Sequence, residues 1–344
     1  MCLAIALLSA CGGRTGAEGP DGPLVIDAAP DAAVPLTPCP SSGMGAVVPV
    51  AGSTCVTITP AESGAASTGE NALVPSYALT AGTTNAPRGV LLVFFNGSGG
   101  HPGGPIADPN INFYNAAAAL GYDVLALSYA SDASVGSLCA GVDACFFPTR
   151  ETLIFGVPRP GASTGVAALT LDEGIADRLV LALRALAMRD PAHRWATYLA
   201  GTSGTPETQI AWSRLAVAGH SQGGGHAAAI GKLFPVARVI QLAATCDAPG
   251  GTPASWTAGT AGTWATDPTR FYGLGAPTSF DASGQPTGGD QICAYHLATW
   301  RHLGMIASRQ HDDAATCGAT TAQGFHGAAV RCVANDAVWR ELLR

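Results

Sequence analysis

The chain has 344 residues, 12% of them charged, with 17 Lys plus Arg and a formal net charge of −7. That balance excludes nucleic acid and an anionic lipid surface as partners. The 47% hydrophobic content is ample for a buried core, and the length suits one large domain rather than several small ones.

Residues 1–10 carry no charge and are mostly apolar, and they run into Leu8-Ser9-Ala10-Cys11. The segment resembles a bacterial lipoprotein signal, in which the cysteine is lipidated and becomes the mature N-terminus. The resemblance implies an exported protein, on the cell envelope or secreted, whose only membrane link is a lipid on Cys11. A membrane span is not expected, since one needs about 20 apolar residues. Residues 12–37, rich in Gly, Pro, Ala and Asp, show no helical or strand period and read as a disordered spacer, leaving 38–344 as the folded domain.

Beyond Cys2 and Cys11, eight cysteines are scattered without C-x-x-C pairs, which points to disulfides in an oxidising compartment rather than to zinc. The sequence alone leaves the connectivity open; purely local pairing would give Cys39 with Cys55, Cys139 with Cys145 and Cys317 with Cys332, leaving Cys246 for Cys293. Cys55 to Ile58 and Ala72 to Leu79 read as antiparallel edge strands. Val90 to Phe95 is a continuous apolar run of the kind buried on both faces of a sheet. A short helix over Phe113 to Leu120 closes at Gly121, and a strand over Asp123 to Tyr129 follows. Thr170 and Glu173 are spaced as a capping box, after which Ile175, Leu179, Leu183 and Leu186 form one apolar stripe. Strands are then expected at Leu215 to His220, Ala237 to Ala243 and Thr269 to Gly273. Strand and helix in alternation, with enough chain between strands to cross over, predict an α/β fold with a mostly parallel central sheet and helices on both faces.

The functional centre of the sequence is Gly219-His220-Ser221-Gln222-Gly223, set between an apolar strand and a small-residue helix. A serine oxygen is usable as a nucleophile when a sharp strand-to-helix turn projects it clear of both elements, and glycines on either side permit the turn. With this G-x-S-x-G elbow, the chain resembles the α/β-hydrolase family over about residues 85 to 344. The runs Gly121-Tyr122-Asp123 and Leu127-Ser128-Tyr129 resemble, more narrowly, a group of exported bacterial α/β-hydrolase-like proteins. The family resemblance implies acyl transfer to water without a cofactor or metal, with Ser221 as nucleophile and the Gln222 amide in the oxyanion hole. The loop Asn96-Gly97-Ser98-Gly99-Gly100 is similar to the family's first strand-to-helix loop, which supplies the second amide; Ser98 is the first choice and Gly97 the next.

The family's chain order places the acid and the histidine after the serine. That order sets His220 aside and leaves His226, His296, His302, His311 and His326. His226 lies on the elbow helix. His296 and His302 fall in an amphipathic stretch suited to packing or surface roles, and His311 precedes two aspartates in what reads as a solvated turn. His326, in Gly324-Phe325-His326-Gly327 ahead of the final helical segment, is the expected base, carried on a flexible loop. Asp281 is the first carboxylate after the expected strand at Thr269 to Gly273 and is the expected acid; Asp247 and Asp290 are the alternatives.

The segments Ser131 to Gly165 and Pro249 to Pro268 are long enough to cap the site. Their Trp256 and Trp264 either line an apolar acyl pocket or pack the cap. The expected substrate is a small-molecule or lipid carboxylic ester. A hydrolase-fold surface lipoprotein acting as a binding module is the competing reading, and it requires His326 to be remote from Ser221 or to lack an acid. A zinc hydrolase ranks below both, because the histidines lack the close helical spacing of such sites.

Overall fold

The structure is a computed structural model that describes residues 35–40, 48–65, 69–102, 111–259 and 263–344. The signal with Cys11 and nearly all of the expected spacer lie outside the described residues. At the spacer's C-terminal end, Thr37 pairs with Thr57 in the sheet, so this residue of the expected spacer belongs to the folded domain.

The strands are β1 (Thr37–Pro38), β2 (Cys55–Ile58), β3 (Ser76–Leu79), β4 (Leu91–Phe95), β5 (Asp123–Leu127), β6 (Leu215–His220), β7 (Arg238–Leu242), β8 (Phe271–Leu274), β9 (Thr278–Phe280), β10 (Pro286–Gly289) and β11 (Gln310–His311). The helices are α1 (Pro60–Ser63), α2 (Ile111–Ala119), α3 (Val135–Cys139), α4 (Asp143–Phe155), α5 (Ile175–Arg189), α6 (Gln222–Leu233), α7 (His296–Leu303), α8 (Ala322–Arg331) and α9 (Asp336–Leu343). Among the described residues, nine strands form one sheet in the order β1-β2-β3-β5-β4-β6-β7-β8-β11, and β9 with β10 makes a separate hairpin. β1, β2 and β3 run antiparallel to their neighbours, and every pairing from β5 to β11 is parallel.

The alternation of side chains along each strand builds two cores. Leu91, Val93 and Phe95 of β4 and Val217 of β6 face α5 and α6. Leu92 and Phe94, with Ala216 and Ala218, face α2, α8 and α9, where Trp339, Leu342 and Leu343 are buried. Because both faces are covered, all five residues of β4 are buried. On α5, the expected stripe of Ile175, Leu179, Leu183 and Leu186 is buried. The capping box is present, with Glu173 accepting from the Thr170 N–H, but it closes a short turn over Leu171–Glu173 that leads into α5 rather than opening the helix itself.

Two features place the site. The chain leaves β4, forms β5 on one side, then returns to lay β6 on the other side of β4, so the sheet has a topological switch point between β4 and β6. Ligands of open α/β sheets bind outside the carboxyl ends of the strands at such a point. Phe95 pairs with Gly219, so the loops that follow β4 and β6 emerge side by side.

The four disulfides are Cys39–Cys55, Cys139–Cys145, Cys246–Cys293 and Cys317–Cys332, which is the purely local pairing. The expected cap segments hold α3, α4 and short helical turns. Trp256 stacks on Phe147 and Trp264, so these tryptophans pack the cap against itself. His311 lies in edge strand β11 beside β8, in place of the solvated turn expected for it.

Candidate active site

Ser221 sits between β6 and α6 with φ 55° and ψ −124°. A non-glycine residue in that region is strained by about 1–3 kcal/mol, and the surroundings must over-determine it. Here they do. The Ser221 N–H donates to the Leu242 carbonyl at 3.0 Å, and its own carbonyl accepts from the Gly225 N–H at 3.2 Å. A Cβ on Gly219 would lie 2.2 Å from the backbone of Gly223, and one on Gly223 would lie 2.1 Å from the Phe95 carbonyl oxygen. The two glycines of the motif are therefore required by backbone packed on backbone, which no side-chain adjustment relieves.

The glycine loop after β4 closes over the serine. A Cβ on Gly97 would stand 3.0 Å from that of Ser221. The Ser98 hydroxyl donates to Gln222 Oε1 at 3.0 Å, and the same oxygen accepts from the Val135 N–H at 2.8 Å. One side chain thus ties together the glycine loop, the first turn of α6 and the start of α3 in the cap. Gln222 opens α6, where N–H groups lack intrahelical acceptors and the helix dipole favours negative charge. Gly97, Ser98 and Gln222 line one cavity with Ser221, so the three residues expected to form the oxyanion hole are brought together at the serine.

His326 lies within α8, on an ordered helix rather than on the flexible loop expected for it, and it is only 2% exposed. Its Nδ1 is 3.1 Å from both carboxylate oxygens of Asp290. An ionised carboxylate only accepts, so Nδ1 carries the proton and Nε2 keeps its lone pair. Nε2 has no hydrogen-bond partner among the described residues, and His326 lines the same cavity as Ser221.

Asp290, not Asp281, is the carboxylate against this histidine. It is fully buried, follows the β9–β10 hairpin, and its Oδ1 also accepts from the Ile292 and Cys293 N–H groups at 3.1 and 3.0 Å. Burial pushes its pKa up, but the hydrogen bond and charge of His326 and the Cys293 N–H outweigh it and hold the carboxyl below its ordinary value. Asp281 lies at the exposed tip of the hairpin. Its Oδ1 accepts from the Ser283 hydroxyl and N–H and from the Gln285 N–H, and it makes a turn rather than a site. Asp247 is buried but is held by Arg150, whose Nε and Nη2 donate to its two oxygens at 2.7 and 2.6 Å, while Trp256 Nε1 donates at 2.9 Å. Arg150 also bonds the Gln222 carbonyl, so this buried pair joins both cap segments to the elbow helix.

The other histidines have structural settings. His226 is buried without a hydrogen-bond partner among the described residues; burial, then the charge of Arg150, holds it neutral. His296 bridges the Cys293 carbonyl and Asp312, and His302 bonds the Thr257 hydroxyl. His220, set aside by chain order, proves to be part of the surroundings. Its Nε2 donates to the His326 carbonyl at 3.0 Å and its ring lies 4.7 Å from the His326 ring. Burial and the adjacent His326 lower its pKa to about 3, so it serves as a neutral donor fixing the backbone that carries His326. Its place immediately before Ser221 is the one sequence signal of that role.

Two disulfides flank Asp290 and His326. Cys246–Cys293 ties the loop holding Asp290 to the chain just past β7, and Cys317–Cys332 spans α8. The cavity has a volume of about 350 Å³. Among the described residues, no cluster of three or more His, Cys, Asp or Glu side chains is placed to hold a metal ion. The arrangement offers a projecting serine, an oriented imidazole with a bare nitrogen, and amides at a helix start.

No protein-family model matches the chain, and no curated protein matches it in sequence. Among solved structures, an S-formylglutathione hydrolase from Agrobacterium tumefaciens aligns over 88% of this chain and 100% of its own, at 12% identity and a TM-score of 0.42. An α/β serine hydrolase without a lid from Xanthomonas campestris aligns over 86% and 96%, at 13% identity and a TM-score of 0.37. A hormone-sensitive lipase from a metagenome library aligns over 57% of this chain at 17% identity and a TM-score of 0.27, and the match spans 46% of that protein. The strand order, the switch point and the elbow carry the assignment: the chain has the α/β-hydrolase fold.

Proposed function

We propose that this chain is a serine hydrolase that cleaves a carboxylic ester through an acyl-enzyme. The observation that carries the reading is the His326 imidazole, which donates an Nδ1 hydrogen bond to buried Asp290 and has no Nε2 partner among the described residues in the cavity that Ser221 lines. In this reading His326 Nε2 takes the Ser221 proton as Oγ attacks the ester carbonyl, and Asp290 stabilises the imidazolium that forms. The amides of Gln222 and Ser98 hold the oxyanion. The protonated His326 then delivers its proton to the departing alkoxide, and water repeats the sequence to release the acid. The contact between Asp290 and His326 speaks against a purely binding role.

Export is part of the proposal. Four disulfides in one domain suit an oxidising compartment, and a lipid on Cys11 would tether the domain to a membrane. Metabolic labelling of the expressed protein with a fatty-acid analogue, compared with Cys11→Ser, tests the tether. Hydrolysis of p-nitrophenyl esters of increasing chain length by wild type, Ser221→Ala and His326→Ala tests the chemistry. Turnover that survives in Ser221→Ala would defeat the mechanism.

A further inference from the structure

The cavity that holds Ser221 has a mixed polar and apolar lining, and among the described residues it includes a cation, Arg331, that no other side chain neutralises. Arg150 and Asp247 both line it, but they are buried and bonded to each other through two hydrogen bonds, which cancels their charges. Asp290 is taken by His326. Arg331, in the last turn of α8 and five residues beyond His326, also lines the cavity. It forms no ion pair or hydrogen bond among the described residues. Its side chain folds back along the helix over Gly327, where a Cβ would lie 3.2 Å from the Arg331 Cδ, Nε and Cζ atoms. The exposed side chain thus lies along the turn that carries His326.

The rest of the lining leaves room for a polar group beside that charge. Ser134, Gln323 and Gln222 are polar, while Val135 and Ile292 are the main aliphatic contributions. Trp256 and Trp264 are committed to the cap packing and do not line the cavity. The cavity, about 350 Å³, offers an acyl chain only the short aliphatic side chains of Val135 and Ile292. An anionic group finds a planar five-donor fork suited to bidentate recognition of a carboxylate.

We propose that Arg331 is a specificity-determining residue and that the substrate is a small ester bearing a carboxylate, which the Arg331 guanidinium binds while Ser221 attacks the ester carbonyl. The inference rests on the Ser221 reading for its chemistry, but the anion site can be tested without turnover.

Two matched pairs of esters place the charge on either side of the scissile bond: p-nitrophenyl hydrogen adipate against p-nitrophenyl hexanoate, and 4-acetoxybenzoate against its methyl ester. The expected result is a higher kcat/KM for the anionic member of at least one pair. Arg331→Ala should lower the anionic-to-neutral ratio about tenfold, Arg331→Glu should lower it further, and Arg331→Lys should restore part of it. Calorimetric titration with adipate, on wild type and Arg331→Glu, reads the anion site independently. If no ester turns over yet adipate binds and Arg331→Glu abolishes the binding, the serine mechanism falls and the anion site stands. If esters turn over with ratios that no Arg331 substitution changes, or adipate binding ignores the substitution, the anion site is overturned and the serine mechanism survives.

Discussion

Replacing Asp290 with Asn separates the role of the acid from its contribution to the fold. Asp290 is fully buried and takes three N–H donors, those of Ile292, Cys293 and His326 Nδ1. An Asn oxygen can keep the two backbone donors, so the loss of stability is bounded by one charge-assisted hydrogen bond, about 1.5–3 kcal/mol. The effect on catalysis is larger for a tautomeric reason. The Asn amide presents N–H to Nδ1, which then serves as acceptor, and the imidazole proton moves to Nε2, the atom that must receive the proton of Ser221. Loss of the correct tautomer in this way costs about 10⁴-fold in kcat, equivalent to about 5.5 kcal/mol of barrier. Asp281→Asn is the matched control: an exposed change at the hairpin tip that alters stability by about 0.5 kcal/mol and leaves kcat/KM within about twofold of wild type. The assay is kcat/KM on p-nitrophenyl butyrate, with urea unfolding run in parallel. Asp290→Asn retaining a tenth or more of wild-type activity, or Asp281→Asn losing it, would refute the assignment of the acid.

Three further outcomes are expected. Gly223→Ala places a Cβ 2.1 Å from a backbone oxygen of β4, so it should cost about 3 kcal/mol or more in urea unfolding; a near-neutral result would mean that the elbow is not packed as described. The Cys246–Cys293 bond spans 47 residues, worth about 4 kcal/mol by loop closure, and it flanks Asp290. Cys246→Ser with Cys293→Ser should therefore lower both Tm and kcat, and unchanged kcat would show that the acid loop holds without it. His220, lowered to about 3, and His226, lowered well below its ordinary value, are neutral in the folded chain and bind a proton below about pH 6.5 only when it unfolds. Unfolded protein thus gains protons as pH falls, and stability declines from about pH 6.5 toward pH 3 by up to about 1.4 kcal/mol per unit for each histidine. His220→Gln, which keeps a donor for the His326 carbonyl, should flatten that slope by about one proton in urea unfolding across pH; an unchanged slope would contradict a neutral His220.

The parts of the site that were legible in the sequence are those fixed by local backbone demands. Ser221 needs glycines at 219 and 223 because strand, turn and helix collide otherwise, and that need is written in five adjacent residues. The loop at Gly97 and Ser98 was legible for a similar reason, following the most apolar strand. The contact of Asp290 with His326 was obscured because the hairpin β9–β10 interposes Asp281 between the strand and Asp290, and a hairpin built from Thr278–Phe280 and Pro286–Gly289 has little strand character of its own. The position of Asp290 beside Cys293 was the available sign, since a disulfide holding that loop gives a carboxylate there a fixed place. His326 was singled out by its place in the chain, but the glycines at 324 and 327 suggested a mobile loop where tertiary packing forms a helix. His220 was hidden because its role runs through space to the His326 carbonyl, and chain order says nothing of such contacts. The cap tryptophans illustrate the same limit: Trp256 and Trp264 are apolar enough for a pocket wall, and only the stacking of Trp256 on Phe147 and Trp264 commits them to the interior of the cap.

The central claim is that Ser221 is an activated nucleophile, and fluorophosphonate labelling of the purified domain followed by peptide mapping tests it most directly. The account predicts a single modified serine, Ser221, with labelling abolished in Ser221→Ala and slowed by orders of magnitude in His326→Ala and Asp290→Asn. Folded wild type that takes up no label, or takes it up at another residue, would contradict it.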